Sequence, residues 1–274
     1  MKNVLLIIFT IICTTAIGQV FYKSAGKKDF KLLMDNGVTY IKTGDPVKDG
    51  YYIDAIEKYW KVTKVRIFDP LDEDNEEKLS NDDIVFYNAS LSGSGDIFCL
   101  IKLDFLIKKT VSKYATIGYI TINGFSQTSK NLSETLFIDQ LIIGLNSTVD
   151  VISEDNIKGG GVGLYSKIFA KTLPKVKSLK DKTLLIIGNT KNYISTKALE
   201  KNGIKYKEIS IEEYEELYQD DLTGYCLFYF AYNTYTEVAI YDLENNELIY
   251  TRHFASAKLK LTLVDIAKIA RQWK

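Results

Sequence analysis

The chain has 274 residues, with 35 Lys plus Arg, 35 Asp plus Glu, three Cys and one His. Apolar residues make up 46% and charged residues 26%, which are proportions of a folded globular chain and exclude global disorder. Zero net charge argues against a general nucleic-acid binder. The lone His253 excludes metal sites that need two imidazoles, and three scattered Cys exclude a disulfide scaffold. We therefore expect no cofactor and no metal site.

Residues 1–18 have the pattern of a Sec-type signal peptide. Lys2 supplies a positive charge, Val4–Cys13 form an almost unbroken apolar run, and small residues stand at −3 and −1 of a cleavage site between Gly18 and Gln19. A membrane anchor is the alternative, but a spanning helix needs about 20 apolar residues. We expect cleavage near Gly18-Gln19, a mature chain without a transmembrane span, and a location in the periplasm or outside the cell.

Residues 19–150 are predicted to form a first α/β module. Continuous or alternating apolar runs indicate strands, and runs with helical spacing indicate helices. In chain order the predicted elements are a strand (Val38–Lys42), a helix (Tyr52–Trp60), a strand (Val62–Phe68), a helix (Glu73–Leu79), three strands (Ile84–Tyr87, Ile97–Leu106 and Thr116–Ile122) and a helix (Thr135–Leu145).

Residues 151–182 form a Gly- and Lys-rich connector between the two predicted modules. Seven lysines fall between residues 158 and 182 against one acid, Asp181. Backbone N–H groups of a Gly-rich run before a helix can cradle an anion, although the run lacks the Walker A and Rossmann spacings, and a flexible linker is the alternative. The candidate residues for binding an anionic envelope component or partner are Lys158, Gly159, Gly160, Gly161, Gly163, Lys167 and Lys171.

Residues 183–274 are predicted to form a second α/β module. Its predicted elements are a strand (Thr183–Ile187), a helix through Ala198–Lys201 capped by Ser195 or Thr196, a strand (Ile204–Ile209), a helix capped by Ser210, a strand (Tyr225–Tyr232), a hairpin (Glu237–Leu243 and Glu247–His253) and a C-terminal helix (Leu263–Trp273). Both halves therefore have the order βαβαβββα, which predicts an α/β fold with mixed sheets.

Five short segments recur in the same order in the two halves, which predicts a tandem duplication. The matching pairs are Ala55–Lys58 with Ala198–Lys201, Val62–Ile67 with Ile204–Ile209, Asp82-Asp83 with Asp220-Asp221, Lys102–Asp104 with Ile240–Asp242, and Thr135–Asp139 with Leu261–Asp265. The spacing between partners shortens along the chain, so the first copy has the longer late loops.

A βαβα opening followed by a strand, the hairpin Glu237–His253 and a helix resembles a periplasmic module. The module is that of the TolB N-terminal domain, of CsgG, and of outer-membrane lipoprotein activators of peptidoglycan synthases. In that group a strand ends in Asp, the turn often contains Thr-Gly-Glu, and the next strand ends near an aromatic residue. Asp242, Asn245-Asn246-Glu247 and Tyr250 occupy those places. The resemblance covers the second half and implies a noncatalytic, protein-binding role in the cell envelope.

Three other features have a structural and a functional interpretation. The acidic segment from Asp69 to Glu77 lacks the Gly and Glu spacing of an EF-hand, which favours a solvated helix start over a calcium site. Cys99 and Cys226 are expected to be buried apolar residues, and pairing of Cys226 with His253 in a catalytic site is the alternative. Aromatic residues such as Phe228, Tyr229 and Phe230 belong to the core if helices cover both sheet faces, and otherwise to an interface. 

We expect an exported, noncatalytic binding or scaffold protein of a Gram-negative envelope assembly, such as outer-membrane secretion or envelope-maintenance machinery. Its partners would be envelope proteins and not nucleic acid. Two alternatives stay open: a small ligand or glycan bound in the cleft between the modules, and an unrecognised periplasmic enzyme. An enzyme predicts convergent polar groups in one pocket, whereas a scaffold predicts an exposed apolar patch.

Overall fold

A computed structural model describes most of the chain after the predicted signal peptide. The described residues are 27–72, 79–80, 82–91, 95–107, 110–121, 137–154, 162–232, 236–254 and 260–273. The signal-peptide prediction for residues 1–18 lies outside these residues, as does the predicted helix Glu73–Leu79 apart from its last residue. Helices pack with two mixed β-sheets, which confirms the predicted α/β class.

The described residues contain seven α-helices, two 3₁₀ helices and ten strands. The α-helices are α1 (Lys27–Asn36), α2 (Pro46–Tyr59), α3 (Ile138–Glu154), α4 (Val162–Thr172), α5 (Thr196–Lys201), α6 (Ile211–Asp220) and α7 (Leu263–Trp273), and the 3₁₀ helices are Leu173–Leu179 and Gly188–Tyr193. The strands are β1 (Val38–Ile41), β2 (Val65–Phe68), β3 (Ile84–Leu91), β4 (Gly95–Ile107), β5 (Thr110–Thr121), β6 (Thr183–Ile187), β7 (Tyr206–Ile209), β8 (Tyr225–Tyr232), β9 (Thr236–Asp242) and β10 (Glu247–Phe254).

The first sheet has the strand order β2-β1-β3-β4-β5. Strand β1 is parallel to β2 and to β3, while β3, β4 and β5 form an antiparallel meander. The crossover from β1 to β2 requires a helix, which α2 supplies. Asp45 caps α2 by accepting hydrogen bonds from the N–H groups of Val47 and Lys48, and Pro46 fits the first helical turn because its missing N–H is not needed there.

The second sheet repeats this arrangement with the order β7-β6-β8-β9-β10. Strand β6 is parallel to β7 and β8, and β8, β9 and β10 form the antiparallel meander. Ser210 and Glu213 form the capping box that starts α6, which confirms the predicted cap. The side chain of Ser195 makes no cap hydrogen bond at α5, so that predicted cap is wrong in its chemistry although α5 begins where it was expected.

Both faces of the second sheet are buried, and the aromatic residues of β8 belong to its core. Phe228 and Phe230 pack on one face with residues of α5 and α7, whereas Tyr229 packs on the opposite face with Tyr214 of α6. Since alternate residues of a strand point to opposite faces, a continuous apolar run such as Tyr225–Tyr232 is typical of a strand covered on both sides.

Helix α3 lies between the two sheets and is buried along both sides. One of its faces packs with β1, β3 and α2 in the core of the first sheet through Ile138, Leu141, Ile142, Leu145, Val149 and Ile152. Ile143, together with Phe137 just before the helix, packs instead with Leu185, Ile187 and Tyr214 of the second module. Helix α3 also runs past residue 150 to Glu154, so it belongs to both the first predicted module and the start of the connector.

The five repeated sequence segments fall on corresponding elements of the two sheets. They lie on the helix after the first strand, on the second strand, before the third strand, on the fourth strand and, for residues 137–139 and Leu261–Asp265, at the start of the helix after the meander. The helix pair shares its burial as well, because Ala55 and Ile56 in α2 and Ala198 and Leu199 in α5 are all core residues. The equal strand order agrees with a duplication, whose occurrence remains a prediction.

Two glycines around α2 provide a matched stability test. Gly37 has a positive φ of 81°, and a Cβ at this residue would lie 2.5 Å from the carbonyl oxygen of Lys64. Gly50 lies inside α2, where a Cβ would meet nothing within 4 Å. We predict that Gly37→Ala lowers the free energy of unfolding by about 2 kcal/mol or more, whereas Gly50→Ala raises it by about 0.5–1 kcal/mol. Urea unfolding measures both, and equal effects of the two substitutions would contradict this packing of Gly37.

Candidate functional site

Three of the seven connector residues proposed from the sequence, Gly163, Lys167 and Lys171, are among the described residues and lie on α4. Lys158, Gly159, Gly160 and Gly161 lie outside the described residues, and Gly163 is the second residue of α4. Lys167 is exposed, and the Nζ of Lys171 lies 2.6 Å from the carboxylate of Glu154. The described part of the connector is helical and packs through the buried Ile168, Val176 and Leu179.

A buried polar cluster lies beneath α4, where this helix packs against β10. Glu237 and His253 face each other on β9 and β10, with 3.6 Å between Oε2 and Nε2, and the hydroxyl of Thr251 donates to Oε1 of Glu237 at 2.9 Å. The ring of Tyr165 on α4 stacks on the imidazole of His253 with 3.8 Å between ring centroids. The only histidine of the chain therefore helps to fix α4 on the second sheet.

The geometry separates Cys226 from His253. Cys226 pairs with Asp242 at one end of β9, while His253 pairs with Glu237 at the other end, so about 17 Å of strand lies between them. Burial raises the pKa of the Cys226 thiol, with a smaller contribution in the same direction from the Asp242 carboxylate. A buried thiol with a raised pKa is an apolar core residue and not an activated nucleophile.

Asp242, the last residue of β9, organises the β9–β10 turn. Its carboxylate contacts Nζ of Lys182 and accepts hydrogen bonds from the backbone N–H groups of Glu244 and Asn245. Burial alone would raise the pKa of Asp242, but the hydrogen bonds from Lys182 and Asn245 outweigh it and hold this pKa below its ordinary value. Asn246 takes the left-handed conformation (φ 53°) that closes the turn. Asp242 thus has a structural role.

Asp139, in the first turn of α3, links elements of both modules. The hydroxyls of Tyr59 on α2 and Tyr218 on α6 each donate to its Oδ2 at 2.8 Å. Burial, and then the charge of Asp139, raise the pKa of both phenols, which keeps them protonated as donors. Charge-assisted hydrogen bonds of this kind are the stronger ones in proteins. Asp139 therefore ties α2, α3 and α6 together at the junction of the modules.

An exposed apolar patch lies on the first module, beside this junction. We call it the α2 patch and define it by Val47 (68% exposed), Tyr51 (50%) and Leu71 (72%). Val47 and Tyr51 are four residues apart and share one face of α2. Leu71 Cδ1 lies 3.1 Å from the position of a Cβ on Gly44, which places it over the loop that leads into α2. This patch was not predictable from the sequence, because Leu71 lies within an acidic segment.

Among the described residues, no group of three or more His, Cys, Asp or Glu side chains is arranged to hold a metal ion. In the same part of the chain no helix has the length and hydropathy needed to cross a membrane. Asp69, from the acidic segment, is held by Lys42 at 3.1 Å and by the N–H of Leu71 at 2.9 Å, and residues 73–78 of that segment lie outside the described residues.

Comparisons with protein-family models, with curated proteins and with solved structures find no match to this chain.

Three tyrosines at the module junction provide a test of the Asp139 link. We predict that Tyr59→Phe and Tyr218→Phe each lower the free energy of unfolding by about 1–2 kcal/mol, because each removes a hydrogen bond to a charged group that is only partly exposed to water. Urea unfolding of the single and double variants measures the losses.

The matched control is Tyr214→Phe, which makes the same chemical change on α6. The hydroxyl of Tyr214 is buried and has no hydrogen-bond partner among the described residues, so its removal should leave stability unchanged or raise it. A loss at Tyr214 as large as at Tyr218 would show that the ring packing, and not the Asp139 link, accounts for the effect.

Proposed function

We propose that this protein is a noncatalytic binding or scaffold component of a Gram-negative cell-envelope assembly, and that it contacts a protein partner through the α2 patch. The observation that carries the proposal is the exposure of Val47, Tyr51 and Leu71 on one side of a module whose own core is closed. Tyrosine and large aliphatic side chains are typical of the centre of protein interfaces, and clustered apolar exposure marks interaction sites.

The surroundings of the α2 patch support a role in specific recognition. Burial and then Asp139 raise the pKa of Tyr218, and the nearby Tyr51 adds a smaller rise, so the patch extends toward the Asp139 link between the modules. Lys42 and Asp69 form an ion pair across the ends of β1 and β2, next to Leu71. An apolar centre with charged groups at its border is the composition of a protein interface.

The described polar clusters support a noncatalytic role. Cys226 is buried far from His253, the Glu237–His253 pair is covered by Tyr165, and Asp242 is occupied by Lys182 and by the turn. None of these three groups combines an accessible nucleophile with a base within hydrogen-bond distance, as covalent catalysis requires. Placement in the envelope rests on the signal-peptide pattern of residues 1–18 and on the resemblance of the second half to periplasmic modules.

The proposal predicts that a patch variant loses its partner while a matched variant keeps it. We expect the tagged chain to recover an envelope protein from detergent-solubilised, cross-linked envelopes of its source cells. Replacing Val47, Tyr51 and Leu71 together by Ser should reduce that recovery at least about tenfold, because these side chains would form the buried centre of the interface. Quantitative mass spectrometry measures the recovery.

The control replaces Met34, Leu263 and Val264 by Ser, since these residues are also exposed and apolar but lie on α1 and α7. Recovery should be unchanged in this variant. Equal recovery with both triple variants, or recovery of no envelope protein, would contradict the proposal. The start of the exported chain, measured on the same samples, is expected at Gln19.

A further inference from the structure

A cavity lies in the second module beside the segment that follows β6. The cavity has a volume of about 450 Å³ and is lined by Lys191, Asn192, Ile194, Ser195, Thr196, Lys197, Glu208 and Lys260. The lining comes from the segment between β6 and α5, from the start of α5, from β7 and from the segment before α7. Volumes of roughly 300–1,000 Å³ are typical of sites for small ligands.

The charge of the cavity lining is strongly positive. Lys191, Lys197 and Lys260 face one carboxylate, that of Glu208. None of these lysines has a carboxylate within 4 Å in the part of the chain that the structure describes, whereas Lys182 of the same module is paired with Asp242. Three ammonium groups around one open cavity repel each other, and a bound anion would remove that repulsion.

Neutral donors complete the lining. The hydroxyl of Ser195 stands at the N-cap position of α5 but makes no hydrogen bond to the helix, so it stays available to the cavity that it lines. Thr196 and Asn192 add a second hydroxyl and an amide. Phosphate groups are bound in proteins by lysines as point charges, together with hydroxyl and amide donors.

The walls of the cavity are held in place by the core of the second module. The ring of Tyr193 stacks on Phe230 with 4.5 Å between centroids, and the backbone N–H of Leu261 donates to the carbonyl of Tyr193 at 2.8 Å. This hydrogen bond fixes Lys260 beside the segment that carries Lys191 and Lys197, although 63 residues separate Lys260 from Lys197 in the chain. Ile194, between them, is 3% exposed and belongs to the same core.

The first module shows what fills the corresponding place when the chain supplies its own anion. After β1, the carboxylate of Asp49 accepts hydrogen bonds from the N–H and hydroxyl of Thr43 at 2.8 and 2.9 Å, from the N–H of Gly44 at 3.1 Å, and from Tyr40. In the pairing of Ala55–Lys58 with Ala198–Lys201, Asp49 corresponds to Asn192, an uncharged residue that lines the cavity. The same sheet edge is thus closed by a carboxylate in one module and left open and lysine-lined in the other.

We propose that the cavity of Lys191, Lys197, Lys260 and Ser195 binds a phosphate group of a small molecule or of a lipid headgroup. The phosphate lies among the three ammonium groups and accepts from the Ser195 hydroxyl. Glu208, at the rim, accepts a hydrogen bond from a hydroxyl of the attached organic group. The site is separate from the α2 patch, which lies on the other module, so it adds a ligand to the proposed function and does not depend on it.

Titration of the mature chain with inorganic pyrophosphate tests this site. We expect saturable binding by calorimetry, with NMR shift changes confined to the segment from Lys191 to Lys197 and to Lys260. Replacing the three cavity lysines by Gln should weaken binding at least about tenfold, because each removes a charge-assisted hydrogen bond. The control replaces Lys180, Lys201 and Lys268, which are exposed and outside the cavity, by Gln and has the same net charge.

A second arm uses vesicles of phosphatidylcholine with and without phosphatidylglycerol at constant salt. The phosphate belongs to a lipid headgroup if the chain binds anionic vesicles but not pyrophosphate, and if the cavity variant loses this binding while the control variant keeps it. Binding to pyrophosphate assigns it to a soluble molecule. No saturable binding in either arm, or equal weakening in the cavity and control variants, overturns the proposal. All six lysines are exposed, so the thermal unfolding transitions of both triple variants are expected to match that of the unmodified chain.

Discussion

Helix α3 is buried on both sides, and the arrangement of the two sheets depends on that burial. Six of its residues pack in the core of the first sheet. Ile143, together with Phe137 just before the helix, packs in a core of the second sheet. Burying a large apolar side chain contributes about 1.5–3 kcal/mol, so a helix with this many core residues cannot leave either sheet cheaply. The Asp139 carboxylate at its start adds hydrogen bonds from α2 and α6, which fix the angle at which the modules meet.

The same topology produces different surfaces in the two modules. In the first, Asp49 closes the carboxyl end of β1, Lys42 is paired with Asp69, and the apolar side chains Val47, Tyr51 and Leu71 are exposed. In the second, no acid corresponds to Asp49, and the exposed groups at the end of β6 are lysines and hydroxyls. The two sites that we propose, the α2 patch and the lysine-lined cavity, therefore lie on different sheets that have the same strand order.

Features that depend on neighbours in the sequence were predictable from it. The buried strands Thr183–Ile187 and Tyr225–Tyr232 have their predicted bounds, because continuous apolar runs ending at turn residues have few other solutions. The Ser210 cap was predictable because a Ser followed three residues later by Glu is a local pattern. Helix α1 was missed, since its sequence KKDFKLLMDN presents only a short apolar face.

Features that depend on tertiary contact were not predictable. The hydrogen bond between Leu261 and Tyr193 holds Lys260 beside Lys191 and Lys197, which are distant in the sequence. Asp139 accepts hydrogen bonds from Tyr59 and Tyr218, each about 80 residues away in the chain. The glycines and lysines of residues 151–182 are close together in the chain, so the sequence pattern indicated a binding site there instead. Of the candidate lysines in that segment, Lys171 is paired with Glu154 and Lys167 is exposed on the same helix.

Helix α3 is expected to join the two sheets into one cooperative folding unit. The two tryptophans of the chain test this coupling directly. Trp60 lies in the core of the first sheet and Trp273 in that of the second. Urea unfolding of Trp60→Phe and Trp273→Phe therefore reports each sheet separately by fluorescence, with circular dichroism as a check that both variants fold. If α3 couples the two sheets, fluorescence and circular dichroism give one unfolding transition at the same urea concentration in each variant. Separate transitions for the two sheets within one variant would contradict it.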